Sequence, residues 1–464
     1  MIEFETDSRK IKEGQIYVAI KGHTVDGHDF INQAILKGAK AVVVERDVDV
    51  NVPVIKVNNT QEYLTEQIVK NYSNQINDLN IIGVTGTNGK TTTCYLTYQM
   101  LNDLGVKTAY IGTIGFYCGD NKIELPNTTP DILSLYKLLL EAKEEGCTHV
   151  VMEVSSHALD QERIKGLKFV SAAFTNLTQD HLDYHKTMDN YLEAKLKIMD
   201  YIIPNGNMIV NADDPASKRF IKDGINTITL GYKENSNVTI KHAEYNPIQT
   251  NIDFSDDDDR HITNNLTSKF NIYNYMTAYT ILRSLGVSFE DIERITKDIK
   301  APTGRCEIIA TNQGYAVVDY AHTPDAVEKI ISSMEELKKN KIITLVGCGG
   351  DRDPIKRPIM GDIACRNSDY VIFTSDNPRT EDPLKILDDI THDLKYTNYE
   401  VIPDRTKAIR HGIELLEPED ILLVLGKGHE NYQIIGHEKI HLDDHEIIRD
   451  WNKEHDNQKK RSLK

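Results

Sequence analysis

At 464 residues, with 39% hydrophobic and 27% charged side chains, the chain has the composition of a globular protein too long for one core, so two to three domains are expected. A formal charge of −17 argues against a general binder of nucleic acid or anionic membranes, and no apolar run approaches the roughly 20 residues of a membrane helix. Cys94, Cys118, Cys147, Cys306, Cys348 and Cys365 are scattered without a CxxC pair, and MIEFETDSRKIKEG has no apolar stretch after a basic start. That pattern suits free thiols in a reducing cytoplasm.

Residues 1–79 read as a small α/β unit, with strands at QIYVAI (15–20) and AVVVE (41–45) and a helix between them ending at Gly38. A second region opens at NIIGVTG (80–86), an apolar run entering a glycine-rich turn. Further strand-like runs follow at 106–112, 148–154, 170–176 and 206–212, separated by helical patterns, so a parallel α/β sheet is expected. The polar stretch 233–268 reads as β-hairpins and a surface loop, with SDDDD (255–259) as a solvated acid run. A third region starts near Pro302, with strands at 314–321, 341–350, 369–376 and 420–428. Each is followed by glycine or polar residues, which places binding groups at the carboxyl ends of strands.

GVTGTNGKTTT (83–93) follows a strand and opens a helix. Backbone N–H groups in such a turn, with the helix N-terminus, favour phosphate. Lys90 is placed to reach β/γ phosphates and the Thr91 hydroxyl to bind Mg²⁺. Val84 stands where the general phosphate-loop pattern has its first glycine, and Gly83 and Gly86 supply the turn instead. Glu153 ends the apolar strand THVVMEV, where a second metal ligand is needed or where a carboxylate simply caps a neighbouring helix. Asp180, His181, Asp183 and His185 read equally well, by spacing, as a metal site or a polar loop.

GTNGKTT (86–92), EVSSH (153–157), DHLDYH (180–185), FNIYN (270–274), GR (304–305) and DYAHTPDA (319–326) together resemble the Mur ligase family, in its order and spacing over almost the whole chain. The resemblance implies an ATP-dependent ligase that activates a carboxylate as an acyl phosphate, which an amine then attacks. It also implies an α/β fold of three domains: an N-terminal UDP-sugar-binding domain (1–79), a central P-loop parallel-sheet ATPase domain (80–301) and a C-terminal Rossmann-like domain for the incoming amino acid (302–464). DSR (7–9), NTTP (127–130), HALDQER (157–163), GCGGDRD (347–353), DNPR (376–379) and GKGHE (426–430) are similar to the branch that extends UDP-MurNAc-L-Ala-D-Glu in peptidoglycan precursor synthesis.

The roles implied by that resemblance are these. Gly86, Thr87, Asn88, Gly89, Lys90, Thr91, Thr92, Asn274, Arg305 and Asp319 bind ATP, the last three at adenine, γ-phosphate and ribose. Thr91, Glu153, His181 and Lys195 hold Mg²⁺, Lys195 as a carbamate, and Lys90, Lys195, His181 and Glu153 form the catalytic set. Ser8, Thr128, Thr129, Ser155, Gln161 and Arg163 hold the UDP-MurNAc-dipeptide. Arg352, Asp376, Asn377, Pro378, Arg379, Gly426 and Glu430 hold the amino acid. Arg379 in the DNP motif implies meso-diaminopimelate, whose distal carboxylate suits a bidentate guanidinium, because members that add lysine lack it. The reactive acyl phosphate needs shielding from water, which implies closure of the C-terminal domain. A cytoplasmic monomer is expected, with no nucleic-acid partner.

The chain departs from the family pattern in three places, one of them the polar stretch 255–268, which looks abbreviated. DSR starts at residue 7, so the first helix of the sugar-nucleotide domain is expected to be absent, and SKFN (268–271) replaces the usual glycine before Phe-Asn. Three alternatives therefore stand beside diaminopimelate addition: L-lysine addition to the same acceptor, a paralogue acting on another acceptor, and a silent nucleotide-binding homologue.

Overall fold

The computed structural model describes residues 2–22 and 25–462, with side chains described through residue 455. Two compact units divide the chain: residues 1–239 with 276–295, and residues 240–275 with 296–464.

The first unit contains two sheets. Strands Phe4–Glu5, Ile16–Val18, Ala41–Val44 and Val54–Lys56 lie side by side in chain order, all parallel. The helix expected to end at Gly38 is a 3₁₀ turn at Gly27–Phe30 followed by an α-helix at Ile31–Leu36. Gly38 then takes φ 101°, the left-handed conformation that closes a helix end. In the larger sheet, Asn80–Thr85 lies between His149–Glu153 and Phe169–Phe174, parallel to both. Its neighbours are apolar on both faces because helices such as Ile132–Glu144 cover the sheet. Thr85 pairs with Phe174, and Val84 with Glu153. The carboxyl ends of three adjacent strands therefore deliver the phosphate loop, Glu153 and the Thr175–Asn176 segment to one place.

The expected parallel sheet carries an antiparallel edge. Beyond Thr108–Gly112, strands Gly115–Cys118 and Asn121–Ile123 run antiparallel as a meander, so the sheet is parallel only in its interior. No covering helix intervenes there, and a tight turn suffices to reverse the chain.

The second unit is built on a six-stranded sheet in the order Glu307–Ala310, Tyr315–Asp319, Ile421–Leu425, Ile342–Val346, Tyr370–Phe373 and Tyr399–Val401. The first pair is antiparallel and the rest parallel. Fully apolar runs such as ILLVL (421–425) sit at its centre. SDDDD falls at the turn of the hairpin Thr250–Ser255/Asp259–Asn264, where Asp256 pairs with Arg260 at 3.3 Å. A fully buried ion pair ties the helix Asp444–Ser462 to the strand ends: Arg405 donates to both Asp444 oxygens at 2.8 and 2.6 Å and to the Leu425 carbonyl at 3.0 Å.

Candidate active site

The phosphate loop is fixed from outside. The Thr87 N–H donates to the Asn176 carbonyl at 2.8 Å and the Asn88 N–H to the Asn176 side chain at 3.0 Å. The Thr175 hydroxyl donates to the Asn88 carbonyl at 2.6 Å. Gly86 takes φ 148°, and a Cβ there would overlap Thr175 Oγ1, so only glycine lets the loop lie against this segment. Gly89, at φ 85°, turns the chain into the helix Lys90–Asp103. Lys90 folds back to donate to the Gly86 and Thr87 carbonyls at 2.9 and 2.8 Å.

Glu153 is completely buried and gathers four donors. Oε1 accepts from the Tyr110 phenol at 2.6 Å and the Thr113 N–H at 2.8 Å, and Oε2 accepts from the Thr91 hydroxyl at 3.0 Å and the Thr113 hydroxyl at 3.1 Å. Thr91 and Glu153, paired in the sequence reading, are thus in direct contact. Tyr110 and Thr113 were not singled out there. A tyrosine inside an apolar strand reads as core, and nothing in the sequence marks Thr113.

Lys195 lies on the helix Met188–Leu196, 1% exposed, and donates to the Gly86 carbonyl at 2.8 Å. Its ammonium sits 4.4 Å from the Tyr191 ring centroid, and the Tyr191 hydroxyl lies 3.2 Å from Thr87 Oγ1. Burial, and then the nearby charge of Lys90, push the Lys195 amine well below its ordinary value. His181 occupies the left-handed region at φ 53° and packs edge-on against His157 at 4.9 Å. Burial lowers its pKa; Asp180 opposes this, while Lys90 and Lys195 add to it. The imidazole is therefore neutral near pH 7 and has a lone pair to offer.

Among the described residues no group of three or more His, Cys, Asp or Glu gathers as a metal cluster. The donors here are instead a carboxylate, a hydroxyl, an imidazole and a buried amine. Hard divalent cations prefer oxygen, and a carbamate on Lys195 would add anionic oxygen to this set.

Of the residues that the sequence assigns to the acceptor, Thr128, Thr129 and Ser155 lie near Glu153. Thr128 lies 3.1 Å from Thr113, hydroxyl to hydroxyl. Thr129, fully buried, donates to the Glu153 carbonyl at 2.8 Å and accepts the Ser155 N–H at 3.0 Å, so its hydroxyl is spent inside the protein. Arg163 donates to the Thr129 carbonyl at 2.9 Å and to Gln161 at 2.9 and 2.6 Å. Ser155 caps a short helix by accepting the Ala158 N–H. Ser8, in the turn after the strand Phe4–Glu5, donates to Gln33 at 2.6 Å.

In the second unit, Asp319 accepts the N–H groups of Cys306 and Ala321, each at 2.8 Å. Burial raises its pKa against the pull of Arg305. The Arg305 guanidinium lies 5.1 Å from the Tyr320 ring centroid, and Tyr320 in turn contacts His429 at 5.0 Å. Gly304, at φ 69°, approaches Gly428 so closely that a Cβ on Gly304 would overlap the Gly428 backbone. Asn274, 5% exposed, donates to Asn271 at 3.0 Å in its own helix.

Farther along the same strand ends, Arg379 adopts φ 50° and donates to the Gly350 carbonyl at 2.8 Å. A Cβ built on Gly349 would lie 2.9 Å from the Arg379 guanidinium and 3.7 Å from Arg352 Cγ, so both arginines border this glycine. Asp376 accepts the Asn377 N–H at 2.6 Å, and Asn377 donates to Glu430 at 2.8 Å. The Pro378 carbonyl crowds Gly350, and Gly426 lies against Asp376. Lys427, overlooked in the sequence between two assigned residues, is fully buried and donates to Asn377 and Glu430, each at 3.1 Å. The readable signal was a cation two residues after the apolar strand Ile421–Leu425, where burial demands a partner.

Residues 4–82, 84–282 and 304–428 match, in turn, the Mur ligase family catalytic domain, the Mur ligase middle domain and the Mur ligase glutamate ligase domain. The chain belongs to the Mur ligase family, and it is an ATP-dependent amide-forming ligase with that family's three-domain α/β fold. It is 42% identical to the UDP-N-acetylmuramoyl-L-alanyl-D-glutamate–2,6-diaminopimelate ligase of Bacillus cereus, over 96% of this chain and 93% of that protein. It is 39% identical to the enzyme of the same name from Clostridium botulinum, over 97% and 95%. A solved structure of a ligase of that name superposes with a TM-score of 0.70 at 30% identity, covering 97% of this chain and 94% of the other. The MurF ligase of Thermotoga maritima in complex with ADP shares the fold, with a TM-score of 0.67 at 20% identity over 91% and 93% of the two chains.

Proposed function

We propose that this enzyme adds meso-diaminopimelate to the D-Glu γ-carboxylate of UDP-MurNAc-L-Ala-D-Glu, with ATP cleaved to ADP and phosphate, in peptidoglycan precursor synthesis. The observation that carries this reading is the charge arrangement at the second unit's strand ends. Arg379 and Arg352 border one glycine, while Glu430 is held two residues away from Arg379 through Asn377. A distal carboxylate and a distal ammonium on one substrate fit that pair of opposite charges. L-Lysine has the ammonium alone and would leave the guanidinium unpaired.

In this reading the loop residues Gly86–Thr92 cradle the phosphates, and Lys90 exchanges its carbonyl partners for phosphate oxygen. Asn274, Arg305 and Asp319 serve adenine, γ-phosphate and ribose. Ser8, Thr128, Thr129, Ser155, Gln161 and Arg163 form the acceptor site, Thr129 by positioning Ser155 and Arg163, with Arg163 held flat by Gln161 as a donor for an anionic group. Mg²⁺, held by Thr91, Glu153, His181 and Lys195 as its carbamate, would neutralise the phosphate charge that otherwise repels the attacking carboxylate. The lowered pKa of Lys195 eases loss of its proton, and the free amine then adds to CO₂ and releases a further proton to form the carbamate. Tyr110 and Thr113 hold Glu153 in one orientation for that role. The acceptor carboxylate attacks phosphorus, ADP leaves, and the diaminopimelate amine displaces phosphate from the acyl phosphate.

Residues 1–79, 80–301 and 302–464 are read as acceptor, ATP and amino-acid domains of a cytoplasmic monomer. No helix among the described residues is long and apolar enough to cross a membrane. Phosphate release with Mg²⁺-ATP and UDP-MurNAc-L-Ala-D-Glu tests the reading. Turnover with meso-diaminopimelate and not with L-lysine is expected; turnover with L-lysine, or with neither, would contradict it.

A further inference from the structure

Lys427 has no part in the roles assigned above, yet it is fully buried beside Glu430, whose side chain is 14% exposed. Its ammonium donates to Asn377 Oδ1 and to Glu430 Oε2, each at 3.1 Å. The Ile434 N–H donates to the same Asn377 oxygen at 3.0 Å. Two donors on Oδ1 fix the amide: turned over, its NH₂ would face an ammonium and an N–H with no acceptor between them. Asn377 Nδ2 must then point to Glu430, and it reaches Oε2 at 2.8 Å. Both donors land on one carboxylate oxygen, leaving Oε1 for an incoming cation.

We infer that Lys427 is a positioning residue that sets stereospecificity at the distal centre of the amino-acid substrate. It does so by restricting Glu430 to a single acceptor oxygen and locking the Asn377 amide. This rests on the diaminopimelate reading of the site. With the ammonium confined to one fixed oxygen and the carboxylate to Arg379, only one arrangement of the distal carbon lets its chain run toward the reacting amine. A carboxylate free to rotate would accept the ammonium on either oxygen and would admit the mirror-image centre as well. Lys427 thus contributes geometry rather than attraction, since its own charge opposes that of the ammonium.

The test uses the full-length chain and four variants: Lys427→Met, Glu430→Gln, the double variant, and Asn377→Ser, which breaks the lock without removing the buried cation. KM and kcat are measured for meso- and LL-diaminopimelate, and KM for ATP. Lys427→Met is expected to raise KM for the meso isomer about 10- to 100-fold with kcat within about threefold and the ATP KM unchanged. Its preference for meso over LL should fall at least about tenfold. The double variant should be no worse than Glu430→Gln alone, because the two residues act as one unit. Should Lys427→Met not fold, Asn377→Ser must show the same loss of isomer preference. Equal losses for both isomers, or losses that multiply in the double variant, overturn the inference. An unchanged meso-diaminopimelate KM in Glu430→Gln overturns the underlying site assignment instead, and is distinguishable because it needs no Lys427 variant.

Discussion

The two groups of functional residues solve opposite problems. Around the phosphate loop the residues assigned to chemistry are tied to protein partners: Glu153 has four donors, Lys195 is aimed at a carbonyl, and Thr129 has both a donor and an acceptor. At the strand ends of the second unit, cations keep capacity in reserve. Among the described residues Arg305 Nε has no hydrogen-bond partner, and Arg352 donates to the carbonyl of Asp351, its neighbour in sequence. The first region holds one geometry for chemistry that does not change with the substrate. In the proposed function the second offers donors to groups that a substrate supplies, which places specificity there.

That contrast is sharpest at Lys195. Lys195→Ala should lower turnover by about a thousandfold or more while ATP binding weakens little, as expected when an anionic ligand to the metal is lost. Mass spectrometry of the intact enzyme should show the added CO₂ at Lys195, and an unmodified, fully active enzyme would break the first half of the comparison. Arg379→Ala tests the second half. Loss of diaminopimelate addition by about a hundredfold or more is expected with ATP affinity intact, because the distal carboxylate loses its guanidinium partner. Equal loss of both would mean that Arg379 is structural.

Smaller effects probe the frame that holds the second region. Arg405→Ala should destabilise the protein by about 3–5 kcal/mol in denaturant melts, because it strands the buried Asp444 carboxylate. Arg405→Ala/Asp444→Ala together should cost less than the single change. The smallest effect concerns His445, which lies 2.9 Å from Glu307 and 3.1 Å from Asp443. Burial pulls its pKa down, but the two carboxylates outweigh that and raise it from 6.5 to about 9. A raised folded-state value means the stabilisation is complete below pH 6.5 and disappears as pH climbs through about 9. Wild-type stability should therefore fall by about 1–3 kcal/mol across that window, and His445→Gln should flatten the slope.

Much of this was legible in the sequence where local chemistry and long-range structure agree. The run NIIGVTGTNGKTTT announces strand, turn and helix in order, and Glu153 at a strand end falls beside Thr91 as expected. The C-terminal strands were readable because four apolar runs each stop at glycine or polar residues. What stayed hidden depended on partners distant in sequence. Tyr110 bonds across 43 positions and Lys427 across 50, and neither residue type signals that contact locally. The antiparallel edge at 115–123 was not read because strands of four and three residues are too short to show a period.

Gly304 and Gly428 press backbone to backbone, although 124 positions separate them (428 − 304). Neither can gain a side chain without displacing the other's main chain, and both hold positive φ. No substitution at one can compensate for a substitution at the other, since each is already the smallest residue available. In a library of variants these two sites should therefore stand out as jointly intolerant, with no rescuing pairs. A lineage of this enzyme could drift widely around them while this junction stayed frozen.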